Sequence, residues 1–148
     1  MTEEEIVEAQ NMGELVSVVK EGTILGEMGV NYMHDITEGG ILGAVWEGAI
    51  AIDKGIKVYE ELIPMKEITK KMSSILDIDP YRLISSGSML VIAKEDKIPE
   101  IKKKLGAENI NISIIGEVIE KGVFIEKNGL AEEIPSPGSD ELYRALQF

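Results

Sequence analysis

A chain of 148 residues fits one domain, and 44% apolar with 28% charged residues describes a packed globule rather than a disordered segment. Fifteen Lys and Arg against 27 Asp and Glu leave a net charge of −12, a field that repels nucleic-acid phosphates and anionic membranes. The absence of cysteine excludes disulfides, thiolate metal sites and thiol nucleophiles, and an aromatic share of 5% requires a core of Ile, Leu, Val, Met and Ala.

The N-terminus, MTEEEIVEAQ, is acidic where a signal peptide is basic. No apolar run reaches the ~18 residues of a membrane span, so the cytoplasm is the expected location. Residues 14–28 place Leu15, Val18, Val19, Leu25 and Met28 at a broken three-and-four spacing, which predicts a helix stopped by Gly29. VNYMHD then predicts a short strand. Ile41, Leu42, Val45, Trp46, Ala49 and Ile50 form a clear helical stripe that ends near residues 53–55.

IKVYEE (56–61) alternates like a strand. PMKEITKKMSSIL (64–76) opens with Pro, favoured in the first helical turn, and spaces Met65, Ile68, Met72, Ile75 and Leu76 along one helical face. SMLVIA (88–93) is a continuous apolar run, as in a buried central strand. DKIPEIKKKLG (96–106) predicts a small helix with Gly106 as its stop, and INISIIGEVI a strand. Asn128-Gly129 between apolar runs is a strong hairpin signal, and SPGSDELYRAL predicts a loop and a short helix capped by Ser139 or Asp140. Alternation of this kind predicts a single α+β domain over 1–148, a mixed β-sheet covered by helices.

One stretch stands apart. MHDITEGGILGAVWEGAI (33–50) holds the sole histidine, His34, and the sole tryptophan, Trp46. A strand ends near His34 and a helix begins a few residues later. Asp35 followed by Glu38 fits an acidic capping box, with Thr37 as the rival cap. Gly39 and Gly40 carry no side chains, so something can approach the helix-start N–H groups, which favour phosphate or carboxylate. Glycines there also suit close packing against a sheet, and both readings stand on spacing alone. One histidine and no cysteine make a transition-metal site improbable, and carboxylates beside a helix start are commoner as caps than as Mg²⁺ ligands. There is no GxxxxGK[ST]; EGGILG is not GxGxxG, and SSGSM (85–89) is not GxSxG.

MHDITEGGILGAVWEGA resembles the signature that opens the C-terminal domain of the AIR synthase-related superfamily, in particular its HypE-like members with their His-Asp-x-Thr-x-Gly-Gly block. DPYRLISSGSMLVIA is similar to the family's second block, a Ser-Gly turn leading into a strand, and SVVKEGTILGEMGVNYMHD to the helix and strand before the first. The resemblance implies an AIR synthase C-terminal-domain-like fold and an ATP-dependent enzyme of phosphoryl-transfer or ligase type. ATP and Mg²⁺ would be bound mostly by an N-terminal half that this sequence lacks, and the isolated domain would be inactive. Carried over, His34 and Asp35 are the candidate catalytic residues. Thr37, Glu38, Gly39, Gly40, Ser86 and Gly87 line the cofactor cleft, and no metal ligand falls on this chain. The implied partners are the N-terminal ATP-binding half, a small-molecule substrate and a second copy of the chain, with neither nucleic acid nor membrane. Two departures bear on this. HypE proteins end in a cysteine that carries the modified group, and this chain ends ALQF; Glu38 stands where HypE commonly has a basic residue. The alternative is a stand-alone small-molecule-binding, regulatory or oligomerisation module without catalysis.

Overall fold

The structure is a computed structural model and describes residues Met1–Leu146. It is built in layers around one helix. Helix α1 (Glu3–Asn11) and a 3₁₀ turn (Met12–Leu15) precede α2 (Val19–Met28), β1 (Tyr32–Asp35), α3 (Gly40–Ile52) and β2 (Gly55–Tyr59). Then come α4 (Glu67–Leu76), β3 (Met89–Ile92), α5 (Ile98–Ala107), β4 (Gly116–Ile119), β5 (Val123–Lys127), β6 (Leu130–Glu133) and α6 (Glu141–Ala145).

The class is α+β, with helices on a mixed sheet, but the strands do not share one sheet. β1 and β3 form a two-stranded antiparallel ladder, with His34 opposite Leu90. The other four run in the order β4-β2-β5-β6, parallel between β2 and β5 and antiparallel elsewhere. The separation has a physical cause. Helix α3 lies between the sheets, contacting β1 and β3 on one side and β2 and β5 on the other. Its residues Gly40–Val45, Gly48 and Ala49 are all buried, and Val45 has no exposed surface. A helix apolar nearly all round belongs in the middle of a domain, not on its surface.

Side-chain alternation completes the layers. On β3, Leu90 and Ile92 face α3, while Met89 and Val91 face a second core made by Leu25 of α2 with Ile101 and Leu105 of α5. The continuous apolar run SMLVIA is therefore covered on both faces, although β3 has a strand on only one edge. In the larger sheet, Ile56 and Val58 pair with Val123 and Ile125 toward α3. The opposite face carries the Lys57–Glu126 ion pair at 2.5 Å and the Tyr59–Glu117 hydrogen bond at 2.7 Å.

Several boundaries differ from expectation. The helix expected over 14–28 begins only at Val19, and an additional helix, α1, stands before it. Thr2 and Glu5 form a reciprocal capping box there, the local signal that identifies it. Pro64 lies outside α4, which starts at Glu67. Gly106 is inside α5, and the chain turns instead at Asn109, whose φ is +58°. The strand expected across INISIIGEVI is confined to Gly116–Ile119. The hairpin forms as expected, with Asn128 and Gly129 both at positive φ, as a type I′ turn requires. Asp140 caps α6 through Leu142 N–H at 2.8 Å.

Candidate functional site

The signature stretch divides at Ile36, which is buried and pins two turns together. Ile36 N–H donates to Ser88 O at 2.9 Å, and Ser85 N–H donates to Ile36 O at 3.2 Å. The end of β1 and the Ser85–Ser88 turn are thus neighbours through Ile36, while Asp35 and His34 lie further along the ladder, opposite Met89 and Leu90. Gly87 has φ +92°, and a side chain there would collide with the backbone of Leu15 and Val16. The N-terminal segment therefore closes over this turn while Ser86 stays exposed.

The start of α3 is closed as well. Neither Asp35 nor Thr37 caps the helix; Gly39 is the cap, at φ +81°, with no side-chain cap bond. A left-handed cap position turns the chain away from the geometry in which a capping box forms. Gly40 follows at φ +61°, buried, and a Cβ on it would lie 2.5 Å from Tyr81 O and 2.7 Å from Leu83 O. What the glycines admit is the backbone of residues 81–83. The N–H groups are also taken. Gly39 donates to Asp140 Oδ2 at 2.7 Å, Gly40 to Thr37 O at 3.1 Å, and Leu42 to Tyr81 O at 3.1 Å. Asp140 is 4% exposed and contacts the positive end of the α3 dipole, a favourable place for a carboxylate.

A C-terminal strap holds Asp140 there. Pro137 packs on Gly39 and Gly43, Glu141 accepts from Asp79 N–H at 3.2 Å, and Arg144 donates to Asp77 O at 2.7 Å. Tyr143 donates its hydroxyl to Glu38 Oε1 at 3.0 Å, and that carboxylate raises the Tyr143 pKa above the ordinary phenol value.

The polar groups left open are at the strand end. Asp35, Thr37 and Glu38 are exposed, and His34 is half-buried. His34 Nε2 lies 3.1 Å from Glu47 Oε2, and Nδ1 contacts the Asp35 carbonyl, with the Asp35 carboxylate 3.9 Å away. Tyr32 lies alongside, its ring centroid 6.1 Å from that of His34; burial first and Glu47 second raise its pKa. Among the described residues no three His, Asp or Glu side chains converge as a metal site. A cleft of about 450 Å³ between Asn31, Ala51, Lys54, Lys94 and Val118 lies at the C-terminal end of α3, away from Gly39 and Gly40.

Sequence reasoning located the two turns but not the residues that close or orient them. Asp140 was expected only as a cap for α6, yet it also seals α3. Glu47 was not singled out; its signal is that it is the one charged residue in the stretch Gly40–Ile52.

The model of the family described as AIR synthase related protein, C-terminal domain, matches residues 2–127. Phosphoribosylformylglycinamidine synthase subunit PurL of Aquifex aeolicus is 24% identical over 126 residues, 82% of this chain and 15% of that protein. Carbamoyl dehydratase HypE of Escherichia coli is 28% identical over 98 residues, 64% of this chain and 29% of that protein. A crystal structure of E. coli HypE superposes with a TM-score of 0.69 at 25% identity, covering 79% of this chain and 38% of that one. HypE crystallised in complex with ATP shares the fold, with a TM-score of 0.67 at 22% identity over 78% of this chain and 38% of that one. The chain thus spans well under half the length of each of these relatives. No helix among the described residues is long and apolar enough to cross a membrane.

Proposed function

Because the chain belongs to the AIR synthase related protein C-terminal domain family, we propose that it is one wall of the nucleotide and substrate cleft of an ATP-dependent, HypE-like enzyme. A nucleotide-binding half supplies the other wall, and this domain alone does not turn over. The observation that supports the reading is the family match across residues 2–127 together with the juxtaposition of its two signature turns through Ile36. The nucleotide comes to this chain from HypE, which has been crystallised with ATP.

The residues present fit a share of such a cleft and not the whole. Thr37, Glu38 and Ser86 offer exposed polar side chains, and Asp35 an exposed carboxylate, on one rim. Gly39, Gly40 and Gly87 shape that rim by letting backbone segments close behind it. The N–H groups of Gly39, Gly40 and Leu42 already have partners, so phosphate neutralisation falls to the other half. In this reading Mg²⁺ is held mostly by that half as well. ATP supplies a transferable phosphoryl group, and catalysis of that class is largely positioning and charge stabilisation. In this scheme Asp35 orients the substrate, His34 holds the strand end beside it, and Thr37 and Ser86 donate hydroxyl hydrogen bonds. The domain works in the cytoplasm, on a small-molecule substrate.

The test is reconstitution. The chain is mixed with the nucleotide-binding half of a HypE-like relative, and ATP hydrolysis and binding are measured for wild type and Asp35→Asn. Turnover only in the mixture, lost in Asp35→Asn at unchanged stability, is expected. Nucleotide binding by this chain alone, indifferent to Asp35, would point instead to a stand-alone binding module.

A further inference from the structure

Glu47 places a partly exposed carboxylate on an otherwise apolar helix, beside the signature histidine. It is the one charged residue of α3, in a stretch where nearly every neighbour is buried. It lies in the C-terminal half of the helix, where the dipole disfavours an anion. Three and four residues away stand Gly43, Ala44, Ile50 and Ala51, so no helical ion pair supports it. Its one ion-pair partner among the described residues is His34, Nε2 to Oε2 at 3.1 Å.

We propose that Glu47 is a positioning residue of the site: from α3 it accepts the Nε2–H of His34 and so fixes the ring of the signature histidine on β1. The inference deepens the proposed function and rests on it for the importance of His34. A histidine ring has two distinct nitrogens, and an acceptor on one determines which carries hydrogen and how the ring is turned. Nδ1 faces a second acceptor, the Asp35 carbonyl, with the Asp35 carboxylate 3.9 Å away, so Glu47 and Asp35 compete for the ring hydrogen and clamp the ring between them. The groups facing the ring are thus Glu47 from α3, and Asp35 and Tyr32 from β1. The helix that the signature starts returns a side chain, one residue after Trp46, to hold the histidine with which the signature begins. That link makes strand end and helix one rigid unit.

The sequence makes the test clean, since His34 is the only histidine. Long-range ¹H–¹⁵N spectra of the labelled chain report its two ring nitrogens without assignment ambiguity. In wild type, Nε2 is expected in its protonated form, shifted from free imidazole. In Glu47→Ala the Nε2 signal moves toward that of an unprotonated nitrogen, as the hydrogen is left to Nδ1 beside the Asp35 carbonyl. Glu47→Gln, whose amide oxygen still accepts Nε2–H, restores most of the wild-type pattern. Backbone amide spectra of all three proteins confirm the same fold, as expected for a half-exposed side chain. Ring spectra of Glu47→Ala that coincide with wild type overturn the proposal. No nucleotide is present in this measurement, so its failure is separate from failure of the cleft reading, which the reconstitution tests.

Discussion

The two halves of one signature make opposite use of their residues. From Gly39 to Val45 the chain is buried, the N–H groups of Gly39, Gly40, Leu42 and Gly43 have internal acceptors, and Gly39, Gly40 and Gly43 pack against backbone. From His34 to Glu38, apart from buried Ile36, polar side chains stand at the surface. The glycines that look most like a phosphate loop are the packed part. Side chains with chemistry to offer gather at the strand end and the Ser86 corner. A helix start is a ready anion site only while its donors are free, and here Asp140 and Tyr81 O have taken that place.

The contrast can be broken most severely at Gly40. Gly40→Ala forces a side chain into left-handed backbone and against the 81–83 carbonyls. A loss of about 2–4 kcal/mol is expected from strain and overpacking, read by denaturant unfolding. Next is Asp140→Ala, which leaves Gly39 N–H buried without an acceptor and removes the α6 cap. A loss of about 2–3 kcal/mol is expected. A smaller loss in Asp140→Asn, which keeps an acceptor oxygen, identifies the hydrogen bond as the cause. On the open side, Asp35→Asn and Thr37→Ala are expected to change stability by less than about 0.5 kcal/mol. A large loss at either would erase the distinction between the two halves.

The mildest probe is alkaline titration. All four tyrosines, Tyr32, Tyr59, Tyr81 and Tyr143, are held above the ordinary phenol value. Burial is the first cause at Tyr32 and Tyr81, and a glutamate hydrogen bond at Tyr59 and Tyr143. The folded chain binds these protons more tightly than the unfolded chain. Their contribution to stability is therefore complete below the unfolded phenol pKa, about 10, and disappears as pH rises through the folded values. Phenolate absorbance should rise later in the folded protein than in denaturant. Glu38→Gln should bring one tyrosine, Tyr143, back toward the ordinary value.

Local pattern carried much of this fold. The three-and-four stripe from Ile41 predicted α3, and Asn128-Gly129 predicted the β5–β6 hairpin. These are effects within one element or one turn. Short-range cues placed some helix ends only approximately: Pro64 precedes the start of α4 by three residues, and α5 runs one residue past Gly106.

The sequence by itself determined the class of fold and the family, through its signature stretch. Only the tertiary structure decided which parts of that stretch are open. Tyr81 O, Asp140 and Pro137 reach Gly39–Leu42 from 40 to 100 residues away, and Leu15 reaches Gly87 from the other end of the chain. Periodicity and capping preferences describe a residue's near neighbours in sequence. Which donor is satisfied depends on what the packed chain brings to it, and that is fixed only when the layers close around α3.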